Sequence, residues 1–425
     1  MPTVRAITPE EHLAFVRSQR SASFLQAPAW ATVKSEWRHE SLGWFEGDEL
    51  VGAGLVLYRQ LPRLRRYLAY LPEGPLLDWS TDDLRTWLSP LARHLRSRGA
   101  FGIRMGPPVV VRRWSADLVK AGLADPAVAT LDDLAPSERL AEGARVVSQL
   151  NELGWRLQGT GTGFSAGQPR FNFQLPLAGR DEDDVLRDMN QQWRRNIKKA
   201  DKAGVVVSTS STTGNDSTTG AGSTTGDGST TEGGAAGRPT EGLASGYGGE
   251  RGTSERVSRG RAGGGATPGD VKAFHDLYVE TARRDYFTPR PLSYFETMFA
   301  ALGAEESDRI RLYLAHHDGD LVAATIAVRV GAHVWYSYGA SSADKREVRG
   351  SNAVQWAMIR DALAAGADVY DLRGITDTLD PHDAHAGLIQ FKVGIGGEAV
   401  EYAGEWDLPL NTLLYKAFSA YMSRR

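Results

Sequence analysis

The stretch of this chain best suited to chemistry is a lysine followed by closely spaced glycines, Phe391-Lys392-Val393-Gly394-Ile395-Gly396-Gly397. The glycines leave the backbone free to turn sharply or to approach a ligand closely. A lysine held there by an apolar flank can act as a fixed donor to a developing oxyanion. A surface lysine after a strand has the same local pattern, so the rest of the chain must decide between the two. Cysteine is absent, which excludes a thiol nucleophile, a disulfide framework and a thiolate metal site. His382, Asp383 and His385 after Pro381 have the residue types of metal ligands, but two histidines in a short loop with no third partner make a weak site. A Gly-rich nucleotide loop with a P-loop lysine does not occur.

The scaffold for these residues must come from 425 residues that are 41% hydrophobic, enough for two cores of ordinary domain size. Net charge is -3, which argues against a surface coated in positive charge for long nucleic acid. The first residues carry no apolar signal core, and no run of about eighteen apolar residues occurs. These features point to a soluble, cytoplasmic chain without a transmembrane segment. From 208 to 269 the composition collapses into Gly, Ser and Thr, with Ser-Thr-Thr recurring at Ser211, Ser217, Ser223 and Ser229. Such a segment has little to bury and is expected to be disordered. Helical patterns on both sides, Asp184 to Ala203 and Asp270 to Arg284, make it an insertion within one unit rather than a linker between two.

The remaining sequence repeats an order of elements. Gly47-Asp48 and Gly319-Asp320 are hairpin turn signals, each preceded by a short strand (39–45; 311–316) and followed by a long apolar one. Another strand (66–71; 332–341), a helix (82–98; 351–365) and a last strand (101–105; 369–372) then follow in both halves. The expected class is therefore α/β, with two tandem units built on mixed sheets. The units are expected at 1–155, joined by the C-terminal segment 403–425, and at 156–402.

This order is also that of the GNAT fold, the acyl-CoA N-acyltransferase fold. Coenzyme A enzymes of that fold seat the pyrophosphate on a Gln/Arg-x-x-Gly-x-Gly/Ala loop at a helix N-terminus. Here Glu347 and Asn352 stand at the first and last positions around Gly350, which disfavours coenzyme A. A duplicated GNAT-like fold without that loop resembles the Fem family (FemA, FemB and FemX), and three motifs carry the resemblance. Gln26-x3-Trp30-x3-Lys34 looks like the family's Gln-x3-Trp-x3-Lys, and Tyr70-Leu71-Pro72-Glu73-Gly74-Pro75 looks like its Tyr-x-Pro-x-Gly-Pro. Arg195-Asn196-Ile197-Lys198-Lys199-Ala200 is similar to its Arg-Asn-Ile-x-Lys-Ala helix.

The resemblance implies transfer of an amino acid (Gly, Ala or Ser) from aminoacyl-tRNA to the stem-peptide amine of a peptidoglycan precursor, lipid II or UDP-MurNAc-pentapeptide, in cross-bridge synthesis. No cofactor is implied beyond that co-substrate, and the acceptor's lipid implies work at the inner face of the cell membrane. Lys34 and the pair Arg290 and Tyr294 resemble the residues that hold the acceptor diphosphate. Tyr336 and Tyr338, two apart on a strand and so expected on one face, resemble tyrosines lining the acceptor cleft. Phe391 and Lys392 resemble the pair at the transfer step. The position of an Asp considered as the base in some members is Gly106 here, which leaves the base unassigned and a non-catalytic precursor-binding protein open. Asp78 is a possible substitute. Arg194, Arg195, Lys198, Lys199 and Lys202 form a basic stretch that meets either tRNA phosphates or solvent.

Overall fold

Two mixed sheets form the frame in the computed structural model, which describes residues 2–159, 167–211, 266–383 and 386–422. The Gly/Ser/Thr insertion lies outside the described residues except at its ends. There 206–211 is a strand, and Thr267 caps the helix Pro268–Asp285. Within each sheet the repeated order of elements recurs in space. Arg38–Glu46 and Glu49–Gln60 form a hairpin, Tyr67–Leu71 joins antiparallel, and Ala100–Met105 joins parallel after the helix Leu84–Ser97. In the second unit Ile310–His317, Asp320–Val330, His333–Ser341 and Val369–Ile375 pair in the same senses around the helix Gly350–Ala364. The architecture is a tandem pair of GNAT-like α/β units. Glu49–Gln60 reads as a nearly continuous apolar run because it is covered on both faces, which leaves seven consecutive residues buried.

The second hairpin turns one residue earlier than its sequence suggests. His317 pairs with Asp320, so Asp318-Gly319 forms the loop, with φ of 51° and 84°. Asp-Gly suits a two-residue turn that needs positive φ at both places.

The sheets do not divide at one point of the chain. Val110–Ser115 leaves the N-terminal half to pair with Glu398–Tyr402 in the second sheet, while Trp406–Pro409 returns to lie between Ala100–Met105 and Arg156–Leu157 in the first. Each half thus completes the other's sheet.

A shared apolar core fills the space between the units. Phe24, Leu25, Trp30 and Leu55 pack in one cluster with Phe274, Phe295, Ile326 and Trp335, and the Phe24 ring stands edge-on to Trp30 at 5.3 Å and to Trp335 at 5.4 Å. Gln26 is fully buried in this region. Its amide donates to Pro72 O at 2.7 Å and its Oε1 accepts from Leu55 N at 2.8 Å. That pairing explains the glutamine of the Gln-x3-Trp-x3-Lys pattern: it ties the loop after Leu71 to the long strand. Gln26→Ala strands a buried donor and a buried acceptor, at about 1–3 kcal/mol each. It is expected to lower the denaturant midpoint without changing the slope, as measured by urea titration followed by circular dichroism.

Candidate functional site

Three cavities open where the two units meet, and Gln168 and Arg373 line all of them. The first, of about 460 Å³, lies between the units and is lined by Lys34, Arg59, Tyr70, Arg290, Tyr294, Tyr338 and Arg373 among others. Lys34 caps the C-terminus of the short helix Ala29–Val33, and Arg290 precedes the helix Leu292–Glu305, which carries Tyr294 in its first turn. Their cations flank one ring. Lys34 Nζ is 5.2 Å and Arg290 Cζ 5.4 Å from the Tyr294 centroid. Burial and the nearby Arg290 hold the Lys34 pKa below the ordinary lysine value. Neither Lys34 nor Arg290 has a carboxylate within 4 Å among the described residues, and no acidic residue lines this cavity. Among the described residues Lys34, Arg59 and Arg290 have no carboxylate partner, while Arg373 is paired with Glu73 at 2.8 Å. Three unpaired cations suit an anion, with the Arg forks matched to paired phosphate oxygens. Arg59 and Arg373 were not singled out by sequence, since each is a lone arginine on or just beyond a strand with no spacing to mark it.

The second cavity, of about 1080 Å³, shares Tyr338, Ser337, Gly167, Gln168 and Arg373 with the first and adds Tyr336, Phe391 and Lys392. All seven residues expected at the site therefore line two adjoining spaces. Lys34, Arg290 and Tyr294 sit in one, Tyr336, Phe391 and Lys392 in the other, and Tyr338 is common to both.

Tyr336 and Tyr338 do not share a face of the sheet. Tyr338 pairs with Ile326 and Tyr336 with Ala327, so Ser337 is an extra residue in a β-bulge. The inserted residue reverses the alternation. Tyr336 packs against the second unit's core and Tyr338 against the inter-unit cluster. The Tyr338 hydroxyl meets that of Tyr294 at 3.0 Å, and burial raises the pKa of both phenols. Burial also raises the Tyr336 phenol, to about 12. A Cβ at Gly339 would stand 2.0 Å from the Tyr336 hydroxyl, so the glycine makes room for that ring.

Lys392 does not follow a strand. It lies in the last turn of the helix Ala386–Val393 and is 3% exposed. Its ammonium donates to Arg373 O at 3.2 Å and to Gly374 O at 2.6 Å. Of three N–H bonds, one is left for a ligand in the cavity. Desolvation pulls its pKa down to about 7, against the attraction of Asp371 and with the repulsion of Arg373.

The helix Gln191–Lys202 supports this lysine from behind. Trp193 packs on Phe391 at 4.7 Å and donates from its indole to Phe391 O at 2.9 Å. Asn190 caps that helix and donates its N–H to Gly394 O. A Cβ at Gly394 would come within 2.3 Å of the Trp193 ring. Gly394 thus serves close packing of two helices, while Gly396 and Gly397 turn the chain with φ of 90° and 92°. Within the basic stretch, Arg194 is engaged locally and donates to Leu186 O and Arg187 O.

The third cavity, of about 250 Å³, is lined by Gly106 together with Glu73, Asn172, His333, Asp371, Arg373, Tyr402 and Glu405. Glu405 is nearly buried, its pKa is raised by desolvation, and its Oε1 accepts from the Tyr70 hydroxyl at 2.5 Å. Carboxylates therefore surround Gly106, although none is its own. Asp78 is exposed and accepts from Ser80 N and Oγ in a local turn. Among the described residues no three His, Asp or Glu side chains gather as a metal site, and His385 lies outside them.

The model of the FemAB family matches residues 7–318 and 306–422. The chain is 24% identical to the lipid II:glycine glycyltransferase of Staphylococcus epidermidis (strain ATCC 35984), over 96% of this chain and 93% of that protein. It is 24% identical to the enzyme of the same name from Staphylococcus saprophyticus, over 96% and 94%. The crystal structure of FemX superposes with a TM-score of 0.70 at 20% identity, covering 97% of this chain and 99% of that one.

The titration of Lys392 gives a stability signature. Below about pH 7 both folded and unfolded chains hold the proton, and the cost of burying the charge is fully present. Between there and the ordinary lysine range the unfolded chain holds a proton that the folded chain has released, so wild-type stability rises with pH. Lys392→Met removes this titration. The stability of the mutant relative to wild type is expected to be highest below about pH 7 and to decline by an amount of the order of a few kcal/mol as pH rises toward 10. Denaturant melts at several pH values measure it.

Proposed function

The chain belongs to the FemAB family, and on that premise we propose that it transfers an amino acid from a charged tRNA to the stem-peptide amine of a peptidoglycan precursor. Glycine and lipid II are the first donor and acceptor to test, because the curated relatives carry both in their names. Alanine and serine, and the UDP-linked precursor, are the other members of the series. The observation that carries the reading is the cavity between the units, where Lys34, Arg59 and Arg290 converge with no carboxylate among the lining residues, beside Arg373, which is paired with Glu73. A diphosphate fits that charge pattern.

In this reading the diphosphate is held by Lys34, Arg290 and the Tyr294 hydroxyl, and the peptide runs past Tyr338 toward the larger cavity. The aminoacyl ester enters that cavity beside Tyr336, Phe391 and Lys392. The acceptor amine attacks the ester carbonyl and a C–N bond forms. The oxygen that takes the negative charge meets the remaining N–H of Lys392. Collapse breaks the C–O bond to the ribose, and the proton released by the amine leaves with the ribose oxygen. The lysine must carry its proton for this task, which its lowered pKa satisfies below about 7. The acceptor's lipid would bring the protein to the inner membrane face. Among the described residues no helix is long and apolar enough to cross a membrane.

The deciding assay is transfer of radiolabelled glycine, alanine or serine from charged tRNA onto purified lipid-linked precursor. Lys392→Met is expected to lower kcat by about 10²–10³-fold, while Arg290→Ala is expected chiefly to raise KM for the acceptor. Binding of the precursor with no transfer from any donor would instead identify a non-catalytic binding protein. Saturable binding of coenzyme A would point to a GNAT N-acyltransferase.

A further inference from the structure

Two residues in the left-handed backbone region, where side chains are seldom found, face each other across the units. Glu73 has φ of 47° and Arg373 has φ of 63°, and Arg373 Nη1 lies 2.8 Å from Glu73 Oε1. Glu73 belongs to the first unit's loop after Leu71. Its other oxygen accepts from Ser23 Oγ at 2.6 Å, next to the buried segment Phe24–Gln26. Arg373 sits in a bulge of the second sheet: the pairing of Val369–Ile375 with Phe171–Pro176 shifts between Asp371 and Gly374. The Asp371 carboxylate holds the bulge by accepting from Arg373 N at 2.6 Å. As a result the carbonyls of Arg373 and Gly374 both reach Lys392 Nζ. A glycine would take up this backbone without steric cost. An arginine at such a place indicates that its side chain is needed. That side chain reaches Glu73, donates to Gln168 Oε1 at 3.1 Å and lines all three cavities.

We propose that Arg373 is a positioning residue: tied to Glu73, it fixes the bulge whose carbonyls hold Lys392, so that a loop of the first unit sets the place of a lysine in the second. The consequence rests on the reading of Lys392 as the oxyanion donor, because only then does the place of its ammonium govern turnover. In the transfer reaction the Glu73 loop, which borders the acceptor cleft, would make the lysine competent when that loop is in place.

The test reads Lys392 directly and needs no turnover. The full-length protein is acylated with trace amine-specific reagent across the neutral to alkaline range, and labelling at Lys392 is quantified by mass spectrometry. Wild type, Glu73→Gln and Arg373→Gly are compared, each first shown to be folded by its thermal melt. Asp371 and Arg373 are the charged groups that act on Lys392, which gives the two variants opposite signs if charge alone matters. Arg373→Gly removes a repelling cation and raises the half-titration, whereas Glu73→Gln leaves that cation unbalanced and lowers it. Loss of positioning instead hydrates the ammonium in both, so both should move the half-titration up by at least about one pH unit. A Glu73→Gln value unchanged or lowered overturns the proposal, and this variant decides even if Arg373→Gly does not fold. Failure of wild type to transfer any amino acid would overturn the proposed function while leaving this measurement intact.

Discussion

An apolar seam holds the two units in one body, and the position of every charged group in the cleft depends on it. Phe24, Leu25 and Trp30 enter from the first unit, and Phe295, Ile326 and Trp335 from the second. Burial of aromatic rings of this size is the largest favourable contribution available to such a contact. Lys34 follows Trp30 by one helical turn, and Tyr294 immediately precedes Phe295. Fixing the apolar residues therefore fixes the cation against the phenol ring on the other unit. The charged residues repel one another and could not assemble the site unaided. The seam holds them close against that repulsion, and a cavity lined by cations results.

Two bulges in the second sheet do the finer placement. The extra Ser337 sends Tyr336 to one face and Tyr338 to the other, so that a single strand lines both the anion cavity and the larger one beside it. The extra residue at Arg373 bends the adjoining strand and turns two carbonyls toward Lys392. A regular sheet would give one face to one space. Interrupted registry gives these two strands access to several.

The architecture was legible because apolar runs and Gly-Asp turns recur in the same order in both halves. Lys34, Arg290, Tyr294, Tyr336, Tyr338 and Phe391 were singled out by the resemblance to the Fem family, and Lys392 also by its apolar flank and the glycines after it. The pairing of the faces was not legible. A bulge leaves no composition mark, and only Gly339, which clears the Tyr336 hydroxyl, hints that the alternation breaks there. The helix that carries Lys392 was hidden for a related reason. A short apolar run such as Leu388 to Val393 fits strand or helix equally. Of the glycines that follow, Gly394 is needed for the approach of Trp193, and Gly396 and Gly397 make the turn with φ of 90° and 92°. Arg59 and Arg373 had no local signal, since what makes them part of the site is the strand opposite. In the exchange between sheets, the crossing of Val110–Ser115 was likewise beyond local pattern, because it does not differ from an ordinary strand, whereas Trp406–Pro409 falls in the segment 403–425 expected with the first unit.

That exchange bears on how the protein is made. Trp406–Pro409 is an interior strand of the first sheet, between Ala100–Met105 and Arg156–Leu157, yet it is made long after both of its neighbours. During synthesis the N-terminal half waits, with the edge of Ala100–Met105 unpaired, for a partner encoded some three hundred residues downstream. An exposed edge of that kind invites pairing with a neighbouring nascent chain. Folding of the first unit therefore waits on a distant segment, and a chain truncated before Glu398 would emerge with both sheets incomplete.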